Sequence, residues 1–425
     1  MSPAKIISVA SAESTMNPQQ PSPAVHSRLG WTPVAFSCLL IAVGQSGVGL
    51  ILPALPVMGE SLAVSGQEVQ WLLSAFLLGF GPSQLLYGPL SDRYGRRPVL
   101  LSGLLLALAG VLICLIGHDS LAAILTGRLL QGIGAGGASV IARVSLRDQF
   151  EGARLRQVMS HFGTMMALFP TLAPLAGGLL TERCGWLSLF IAMAGYLVLL
   201  VLLVGWRFAE THTAVAQGPS PRDILRQYRQ LLANSHFCCY SGIVWIQYGV
   251  GILSLSLIPF IMQRQLGVDS ETYGYWTLLP AAALMLGGTL ANRLRQHLSQ
   301  EQVLWQAALL QGLAGVAMCA LPATPWSVMA SQALFTFATG MAFPNALSCL
   351  LEPFRRKAGT ATALAGAGQM LTASLGSALL LHAGINTLPE LGCILFIGAL
   401  LLALLVQLGH HAIPASDEWI RRQQA

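Results

Sequence analysis

The chain has 425 residues, of which 54% are hydrophobic and 9% charged, and its formal net charge is +6. Ordinary soluble domains carry about 25% charged residues, so a surface this poor in charge would not stay dissolved and lipid must cover much of it. The basic residues lie in short clusters between apolar runs, which indicates membrane topology and no nucleic-acid partner.

Twelve apolar segments follow a polar tail at 1–30, which is predicted to be disordered and cytoplasmic. Each segment is close to the roughly 20 residues that a helix needs to cross a bilayer core. The sequence therefore predicts an all-α membrane protein of twelve transmembrane helices in two six-helix halves, at 31–208 and 236–410, with a linker at 209–235 and a second cytoplasmic tail at 411–425. The predicted spans are 32–56, 69–90, 98–117, 121–142, 157–180, 186–208, 236–261, 272–292, 302–321, 326–350, 359–382 and 388–409.

The distribution of Lys and Arg sets the expected orientation. If both termini are cytoplasmic, the inner segments contain 20 of the 23 Lys and Arg residues. The outer loops then contain only Arg183 and Arg264, and Arg128 lies within a span. Since Lys and Arg concentrate on the cytoplasmic side of membrane proteins, we expect a multi-pass membrane protein with both termini in the cytoplasm.

The linker contains a predicted helix that begins near Ser220-Pro221, with Ser as N-cap and Pro in the first turn. Arg222, Arg226 and Arg229 are interspersed with apolar residues that fall on one helical face. This pattern favours a helix lying in the cytoplasmic headgroup layer. A plain linker with incidental periodicity is the alternative. The apolar residues are Ile224, Leu225, Tyr228, Leu231 and Leu232.

The string GPLSDRYGRRP at 88–98 is the most specific motif in the chain. It predicts a tight turn between two helices, with Gly95 allowing the backbone to reverse and Pro98 in a first helical turn. Asp92 lies where an acid can accept hydrogen bonds from the amino end of the next helix and pair with a nearby arginine. Such a cluster can hold one conformation and break in another. Positive-inside anchoring, the alternative, explains the arginines but not the acid or the glycines.

A similar string occurs 200 residues later, where Gly288-Thr-Leu-Ala-Asn292-Arg293 follows the eighth span. Its position matches that of Gly88 to Arg93 after the second span. Two halves related by duplication are typical of transporters, whose substrate site lies where the halves meet.

Arg128 lies within the fourth span, where a charge costs about 2.5–3.5 kcal/mol to insert. Gln131 is one turn on and shares its face, which favours a polar site and a coupling role for Arg128. Because Arg128 is near the start of its span, snorkelling to the outer surface is the alternative. The glycines that follow, at 132, 134, 136 and 137, predict close helix packing, since a dinucleotide fingerprint would need a preceding strand.

Three strings of the sequence carry a family resemblance. The loop at 88–98 resembles the signature loop of the major facilitator superfamily, Leu125 to Gly132 resembles its fourth-helix motif, and LAPLAGG at 172–178 resembles its fifth-helix antiporter motif. With Ala142-Arg143, Arg147-Asp148 and Glu210-Thr211, the chain is similar to the drug:proton antiporter branch (Bcr/CflA type), and further strings extend the likeness to a multidrug exporter subfamily. The resemblance implies the major facilitator fold and a latch or coupling set of Asp92, Arg93, Gly95, Arg96, Arg97, Arg128, Gln131, Arg143 and Asp148. It also implies a fifth-helix motif of Pro174, Gly177 and Gly178, in which the proline is expected to bend the helix.

Two positions depart from the pattern of the family. Ala173 stands where a glycine commonly precedes the proline, and Gly49 lies near the place where many proton-coupled relatives carry an acid. Without a carboxylate at the bilayer midplane, coupling must use Asp92 and Asp148, Arg128 or His161. His161 could titrate near neutrality, although a hydrogen-bonded structural histidine is the alternative.

A cavity without a buried acid would hold cations through apolar and aromatic contact, including cation–π attraction. Flexible Met and aromatic side chains adapt to varied ligands, and ordinary helix packing is the alternative for each of them. The candidate lining residues are Gln45, Met165, Met166, Trp245, Gln247, Tyr248, Phe335, Phe337, Met341, Gln369 and Met370.

The resemblance therefore implies a secondary active transporter of a bacterial-type inner membrane that exports small amphipathic drugs or xenobiotics by alternating access, driven by the proton gradient without a cofactor. We expect a lipid-embedded monomer. A dedicated exporter of one metabolite, such as a siderophore or nucleoside, is the first alternative, and a non-transporting membrane sensor is a more remote one. The sequence contains no HExxH motif and no nucleophile elbow, and its eight cysteines lack metal-ligand spacing, so we expect no catalytic or metal site.

Overall fold

The computed structural model describes residues 32–211 and 221–411, and these residues form helices joined by short turns. The predicted tails at 1–30 and beyond residue 411, and part of the linker, lie outside the described residues. The N-terminal half consists of α1 (Thr32–Gly49), α2 (Leu55–Ser61), α3 (Gly66–Tyr94), α4 (Arg96–Ile116), α5 (Leu121–Gln149), α6 (Gly152–Cys184) and α7 (Leu187–Arg207).

The linker contributes α8 (Pro221–Leu232), so the predicted helix after Ser220 is present. The C-terminal half consists of α9 (Ser235–Phe260), α10 (Ser270–Trp276), α11 (Leu278–Leu294), α12 (Gln300–Ala320), α13 (Pro325–Leu351), α14 (Ala358–His382) and α15 (Leu388–His411). A π-helical turn at Ile261–Gln265 follows α9, and α10 and α11 together form one span.

Eleven helical segments among the described residues are long and apolar enough to cross a membrane. They correspond to eleven of the twelve predicted spans. The remaining span, predicted at 157–180, is α6, a helix of 33 residues that packs against α1 and α7 in its own half and against α10 of the other half. The chain is thus a multi-pass membrane protein whose long helices form two sets of six.

Glycines allow α5 to approach its neighbours closely. A Cβ on Gly132 would collide with the carbonyl oxygen of Phe76 in α3, and one on Gly134 with that of Gly103 in α4. The second half repeats this arrangement, since a Cβ on Gly340 of α13 would meet the carbonyl oxygen of a residue in α11. The predicted close packing through small residues is confirmed.

The two duplicated strings occupy equivalent places. The first lies at the end of α3, which ends at Tyr94, and the second at the end of α11, which ends at Leu294. We call the end of the bundle that contains residues 91–97, 148 and 210 the Asp92 end. The opposite end, with residues 53–60, 183 and 263–271, is the Arg183 end.

Candidate functional site

Arg128 is fully buried in the interior of the N-terminal half. Its Nε donates a hydrogen bond to the carbonyl oxygen of Leu72 in α3 at 3.2 Å, and its Nη2 donates to that of Gly47 in α1 at 2.5 Å. Its Nη1 donates to Oε1 of Gln131 at 2.7 Å, and the guanidinium lies 4.6 Å from the centroid of the Phe76 ring. The snorkelling alternative is therefore wrong, because the side chain joins three helices away from any surface.

Carbonyl groups take the place of an acid beside Arg128. Gly47 lies in the last turn of α1, where carbonyl groups lack a helical partner and can accept from a side chain. Among the described residues, no carboxylate lies within ion-pair distance of this guanidinium. A buried charge without a counter-ion is costly, and intramembrane charges mark functional positions, so Arg128 is the strongest coupling candidate in the membrane interior.

A compact charge cluster lies at the Asp92 end, where α3, α4 and α5 meet. The side chain of Arg96, 5% exposed, places Nη1 at 2.5 Å from Oδ1 of Asp92 and Nε at 3.0 Å from Oδ2 of Asp148. The same Nη1 donates to Oγ of Ser91 at 2.6 Å. One guanidinium thus links the ends of three helices through two carboxylates, an arrangement in which charge-assisted hydrogen bonds are strong and directional.

The acid at the amino end of α4 is Glu210 and not the predicted Asp92, although the predicted pairing of Asp92 with a nearby arginine is confirmed. The two carboxylate oxygens of Glu210 accept hydrogen bonds from the backbone N–H groups of Arg96 at 2.8 Å and Arg97 at 3.0 Å. Gly95 makes room for this contact, because it has a φ of +92° and a Cβ there would lie 2.6 Å from Glu210. Glu210 follows the end of α7 by three residues, so only the fold brings it to α4. In the sequence, only the Glu210-Thr211 string, one of those that resemble the family, indicates that Glu210 has a role.

The other predicted latch arginines do not join this cluster. Arg93 is exposed and stacks over the ring of Tyr94 at 5.3 Å, and Arg97 donates to the backbone carbonyl of Gly205. Arg143 bonds the carbonyl oxygen of Ser139 at 3.2 Å and Oε1 of Gln84 in α3 at 3.0 Å. Gln84 is a partner that the sequence reasoning missed.

The fifth-helix motif packs α6 against both halves. Gly177 lies against the carbonyl oxygen of Leu50 in the N-terminal half, and Gly178 lies against that of Ser270 in α10 of the C-terminal half. Pro174 is buried, and α6 continues as one helix on both sides of it. The two adjacent glycines therefore serve two different interfaces, one within a half and one between the halves.

The predicted cavity residues separate into two groups. Phe335 and Met341 are each 1% exposed and pack in the hydrophobic core of the C-terminal half, so their assignment as cavity-lining residues is wrong. Gln247 is also fully buried, although neither polar atom of its side-chain amide has a hydrogen-bond partner among the described residues. The half-buried candidates are Gln45, Trp245, Tyr248, Phe337, Gln369 and Met370, whereas the side chains of Met165 and Met166 lie outside the described residues.

Tyr248 and Met370 belong to the C-terminal half but pack against the hydrophobic core cluster of the N-terminal half. Trp245, on the same helix as Tyr248, donates its indole N–H to the carbonyl oxygen of Ala365 in α14 at 2.8 Å. Tyr248 and Met370 therefore lie along the surface where the halves meet, whereas Trp245 packs against the core cluster of its own half. His161 is exposed in the first third of α6. It belongs to the N-terminal half and interacts with another residue of the protein.

Hydrogen bonds and ion pairs join the two halves at the Arg183 end. Arg183 of α6 pairs with Glu271 of α10 at 2.9 Å. Arg264 donates to the carbonyl oxygen of Pro56 at 2.9 Å and lies 3.4 Å from Glu60. The partners at this end were not predicted, although Arg183 and Arg264 had been singled out as the two basic residues of the outer loops.

Two further bonds extend this interface. Gln263, in the π-helical turn, donates to the carbonyl oxygen of Pro53 at 2.8 Å, and Ser374 of α14 donates to that of Ser74 in α3 at 2.7 Å. Asp269 caps α10 by accepting from the N–H of Thr272 at 2.7 Å, and that hydrogen bond holds the pKa of Asp269 below its usual value. The cap fixes the short helix that presents Ser270 and Glu271 to α6.

The described residues offer no metal centre. They contain no group of three or more His, Cys, Asp or Glu side chains that could hold a metal ion. All eight cysteines are free thiols, and the closest contact described between two of them is that of Cys319 and Cys393, whose sulfur atoms lie 3.9 Å apart.

Known proteins resemble this chain in sequence. Multidrug resistance protein D of Escherichia coli (strain K12) is 36% identical over 358 residues, which cover 80% of this chain and 85% of that protein. Multidrug resistance protein MdtL of Klebsiella pneumoniae (strain 342) is 28% identical over 347 residues, which cover 80% of this chain and 86% of that protein. The predicted likeness to a multidrug exporter subfamily is confirmed by these relatives.

The fold has a solved counterpart as well. The POT family transporter PepTSo superposes with a TM-score of 0.71 at 12% identity, covering 92% of this chain and 99% of that structure. So low an identity shows the fold alone, and the likeness agrees with the predicted transporter fold. A family model for the Major Facilitator Superfamily matches residues 35–377. The chain is a member of the major facilitator superfamily.

Proposed function

We propose that this protein is a proton-coupled exporter of amphipathic compounds that works by alternating access. The observation that carries the proposal is the closure of the interface at one end, where Arg183–Glu271, Arg264–Pro56 and Gln263–Pro53 join the halves. At the Asp92 end, the described hydrogen bonds of the charge cluster stay within the N-terminal half. Two halves held together at one end can separate at the other, as transporters with a central site require.

The proposal places the Asp92 end in the cytoplasm of a bacterial cell, with the protein in the inner membrane and both termini inside. The support is the distribution of basic residues, which concentrate in the segments at this end of the bundle. In this orientation the structure represents a form closed to the outside. The protein is proposed to act as a monomer, because each monomer of this fold contains both halves of the interface.

Amphipathic organic cations and neutral drugs are the proposed substrates. The support is the pair of half-buried side chains between the halves, Tyr248 and Met370, together with the half-buried Trp245 on the same helix as Tyr248. Such side chains adapt to varied shapes and attract cations through the faces of their rings. The two relatives named multidrug resistance proteins agree with this substrate class.

Proton coupling is proposed to act through the charge cluster and Arg128, with His161 as a further titrating candidate. Protonation of Asp92 or Asp148 would remove one of the two negative charges that pair with Arg96. The ion pairs that join α3, α4 and α5 would then be weaker. One proton moving with the membrane potential supplies about 2.3 kcal/mol per 100 mV. The membrane potential therefore drives export of a neutral compound, whereas exchange of one proton for one monovalent cation moves no net charge and is driven by the pH gradient.

Purified protein in liposomes tests this function. With an acidic interior, we expect tetraphenylphosphonium to accumulate inside the liposomes, and a protonophore to abolish the accumulation. Protein-free liposomes control for passive uptake, and a panel of chemically unrelated amphiphiles measures breadth. Movement of one compound only would favour the dedicated exporter, and binding without any movement would contradict transport.

A further inference from the structure

Helix α8 lies close to the membrane boundary for a geometric reason. It ends at Leu232, and the membrane helix α9 begins at Ser235. The turn between them is tight, since Ala233 N–H donates to the carbonyl oxygen of Arg229 at 3.0 Å and the side chain of Asn234 caps α9 through Phe237 N–H at 3.0 Å. So short a turn keeps the carboxyl end of α8 beside the start of α9.

The helical bundle covers one side of α8. Leu231 is 2% exposed and packs in the same core cluster as Phe237 and Tyr240 of α9. Gln227 accepts a hydrogen bond from Oγ1 of Thr360, in the first turn of α14, at 3.2 Å. The helix is therefore attached to the C-terminal half through this side, and its orientation about its own axis is fixed.

The neighbouring side of α8 carries two leucines that no other described part of the chain covers. Leu225 is 70% exposed and Leu232 is 48% exposed. Residues seven apart lie on the same face of a helix, so these two leucines form one stripe. Arg229 lies between them along this stripe and Arg226 lies beside it, and both arginines are exposed. Within the described part of the chain, neither arginine has a carboxylate at ion-pair distance.

We propose that α8 docks on anionic phospholipid at the Asp92 end, with Leu225 and Leu232 among the upper acyl carbons and Arg226 and Arg229 on the phosphate groups. A lipid partner fits because the stripe combines apolar side chains with guanidinium groups that no described carboxylate pairs, and because it lies next to the start of a membrane helix. Helices with this combination bind in the headgroup layer, and basic residues near it attract anionic lipids.

The contact with α14 gives this docking a structural consequence. Because Gln227 bonds Thr360, lipid that holds α8 also holds the first turn of α14. Helix α14 packs along α3 of the other half. The lipid composition at this surface therefore acts on a helix of the interface between the halves. This inference depends on the membrane insertion of the chain and not on the identity of the transported compound.

Spin-label accessibility in the full chain tests the docking. A nitroxide is attached at Leu225→Cys in a cysteine-free protein, which is placed in nanodiscs of phosphatidylcholine alone or mixed with phosphatidylglycerol. We expect the label to be accessible to oxygen and shielded from a water-soluble nickel reagent in the anionic discs. In the zwitterionic discs the shielding should be lost. A second label at Leu232→Cys is read in the same way, so that the test does not depend on one substitution.

Charge variants separate lipid recognition from general apolar contact. We expect Arg226→Gln/Arg229→Gln to lose the shielding that phosphatidylglycerol gives, whereas Arg293→Gln/Arg295→Gln, a matched pair of exposed arginines at the end of α11, should keep it. A label that stays water-accessible in both kinds of disc would overturn the proposal. Equal shielding in both kinds would also overturn it, as would shielding in detergent that scales with protein concentration and so reveals a second copy as the occupant.

Discussion

Gly49 of α1 and Ala173 of α6 lie in close contact, since a Cβ built on Gly49 would lie 2.5 Å from the Cβ of Ala173. These are the two positions at which the chain departs from the family pattern. The two departures complement each other. In this chain the glycine that permits close approach is Gly49 on α1, whereas the family pattern places a glycine on α6 at the position of Ala173. The contact also explains why no acid stands at residue 49, since α6 occupies the space that its side chain would need.

A first prediction follows from this contact. Gly49→Asp should destabilise the protein by about 1–3 kcal/mol, the usual cost of overpacking, and should reduce transport rather than add a proton site. Thermal unfolding in detergent and transport in liposomes measure the two effects. Adding Ala173→Gly should recover part of the stability. A Gly49→Asp protein that is fully stable and more strongly proton-coupled would show that the packing explanation is wrong.

The charge cluster gives a second prediction. Asp92→Asn keeps the shape of the side chain but removes the charge that faces Arg96. Because the Asp92 side chain is 44% exposed, the expected loss is about 1 kcal/mol, or roughly a fivefold decrease in transport, with membrane insertion unchanged. Asp119→Asn, at an acid that is 91% exposed at the opposite end, serves as the matched control. Normal turnover of Asp92→Asn at matched expression would count against the latch.

A third prediction concerns the cap of α4. Glu210→Ala leaves the N–H groups of Arg96 and Arg97 without their side-chain acceptor. Loss of an acidic N-cap partner costs about 0.5–2 kcal/mol, so the unfolding temperature should fall. Glu210→Gln keeps an acceptor oxygen and should recover part of the loss. Equal stability of all three proteins would mean that Glu210 is not a cap in solution.

Arg128 provides a fourth prediction. Lysine keeps the positive charge but cannot reach Leu72, Gly47 and Gln131 at once, because its ammonium is a single point and not a planar fork. Two buried acceptors would lose their donors, at about 1–3 kcal/mol each. We expect Arg128→Lys to reduce stability and to lower transport at least about tenfold. Arg293→Lys, at an exposed position, should leave both unchanged, and a fully active Arg128→Lys protein would remove Arg128 from the coupling scheme.

The Arg183–Glu271 pair gives a fifth prediction, on closure of the Arg183 end. Glu271→Arg places two positive charges together and should shift the population toward the open form. Since the Arg183 side chain is 66% exposed, solvent screens the pair, and the expected shift in the ratio of the two forms is at most about fivefold. The swapped protein Arg183→Glu/Glu271→Arg should regain closure. The distance between spin labels at Asp119 and Ala323 reports the population, and a swap no better than the single variant would argue against the ion pair.

Sequence reasoning was strongest where it relied on length, hydropathy and small residues. The spans follow from the width of the bilayer. The glycines at 132 and 134 are predicted to pack helices closely, because no strand precedes them and a dinucleotide-binding motif would need one. The sequence allows Arg128 either to be buried or to snorkel to the outer surface. Only the positions of α1 and α3, which supply the acceptors at Gly47 and Leu72, distinguish the two.

The sequence could not identify partners that come together only through the fold. Glu210 and Arg96 are 114 residues apart, and Arg183 pairs with a residue in the other half, so no local spacing reveals either contact. Residue type alone predicts that Phe335 and Met341 line a cavity. Residue type does not, however, distinguish a ligand-binding surface from the hydrophobic core of the C-terminal half. Their burial, at 1% exposure each, decides the matter.

Alternating access is tested most directly by two distances measured in the same protein. One pair of spin labels, at Asp119 and Ala323, reports the separation of the halves at the Arg183 end. A second pair, at Glu151 and Gln296, reports it at the Asp92 end. With a change of pH or addition of tetraphenylphosphonium, we expect the first distance to increase while the second decreases. Distances that stay constant, or that increase together, would contradict an exporter that opens one end at a time.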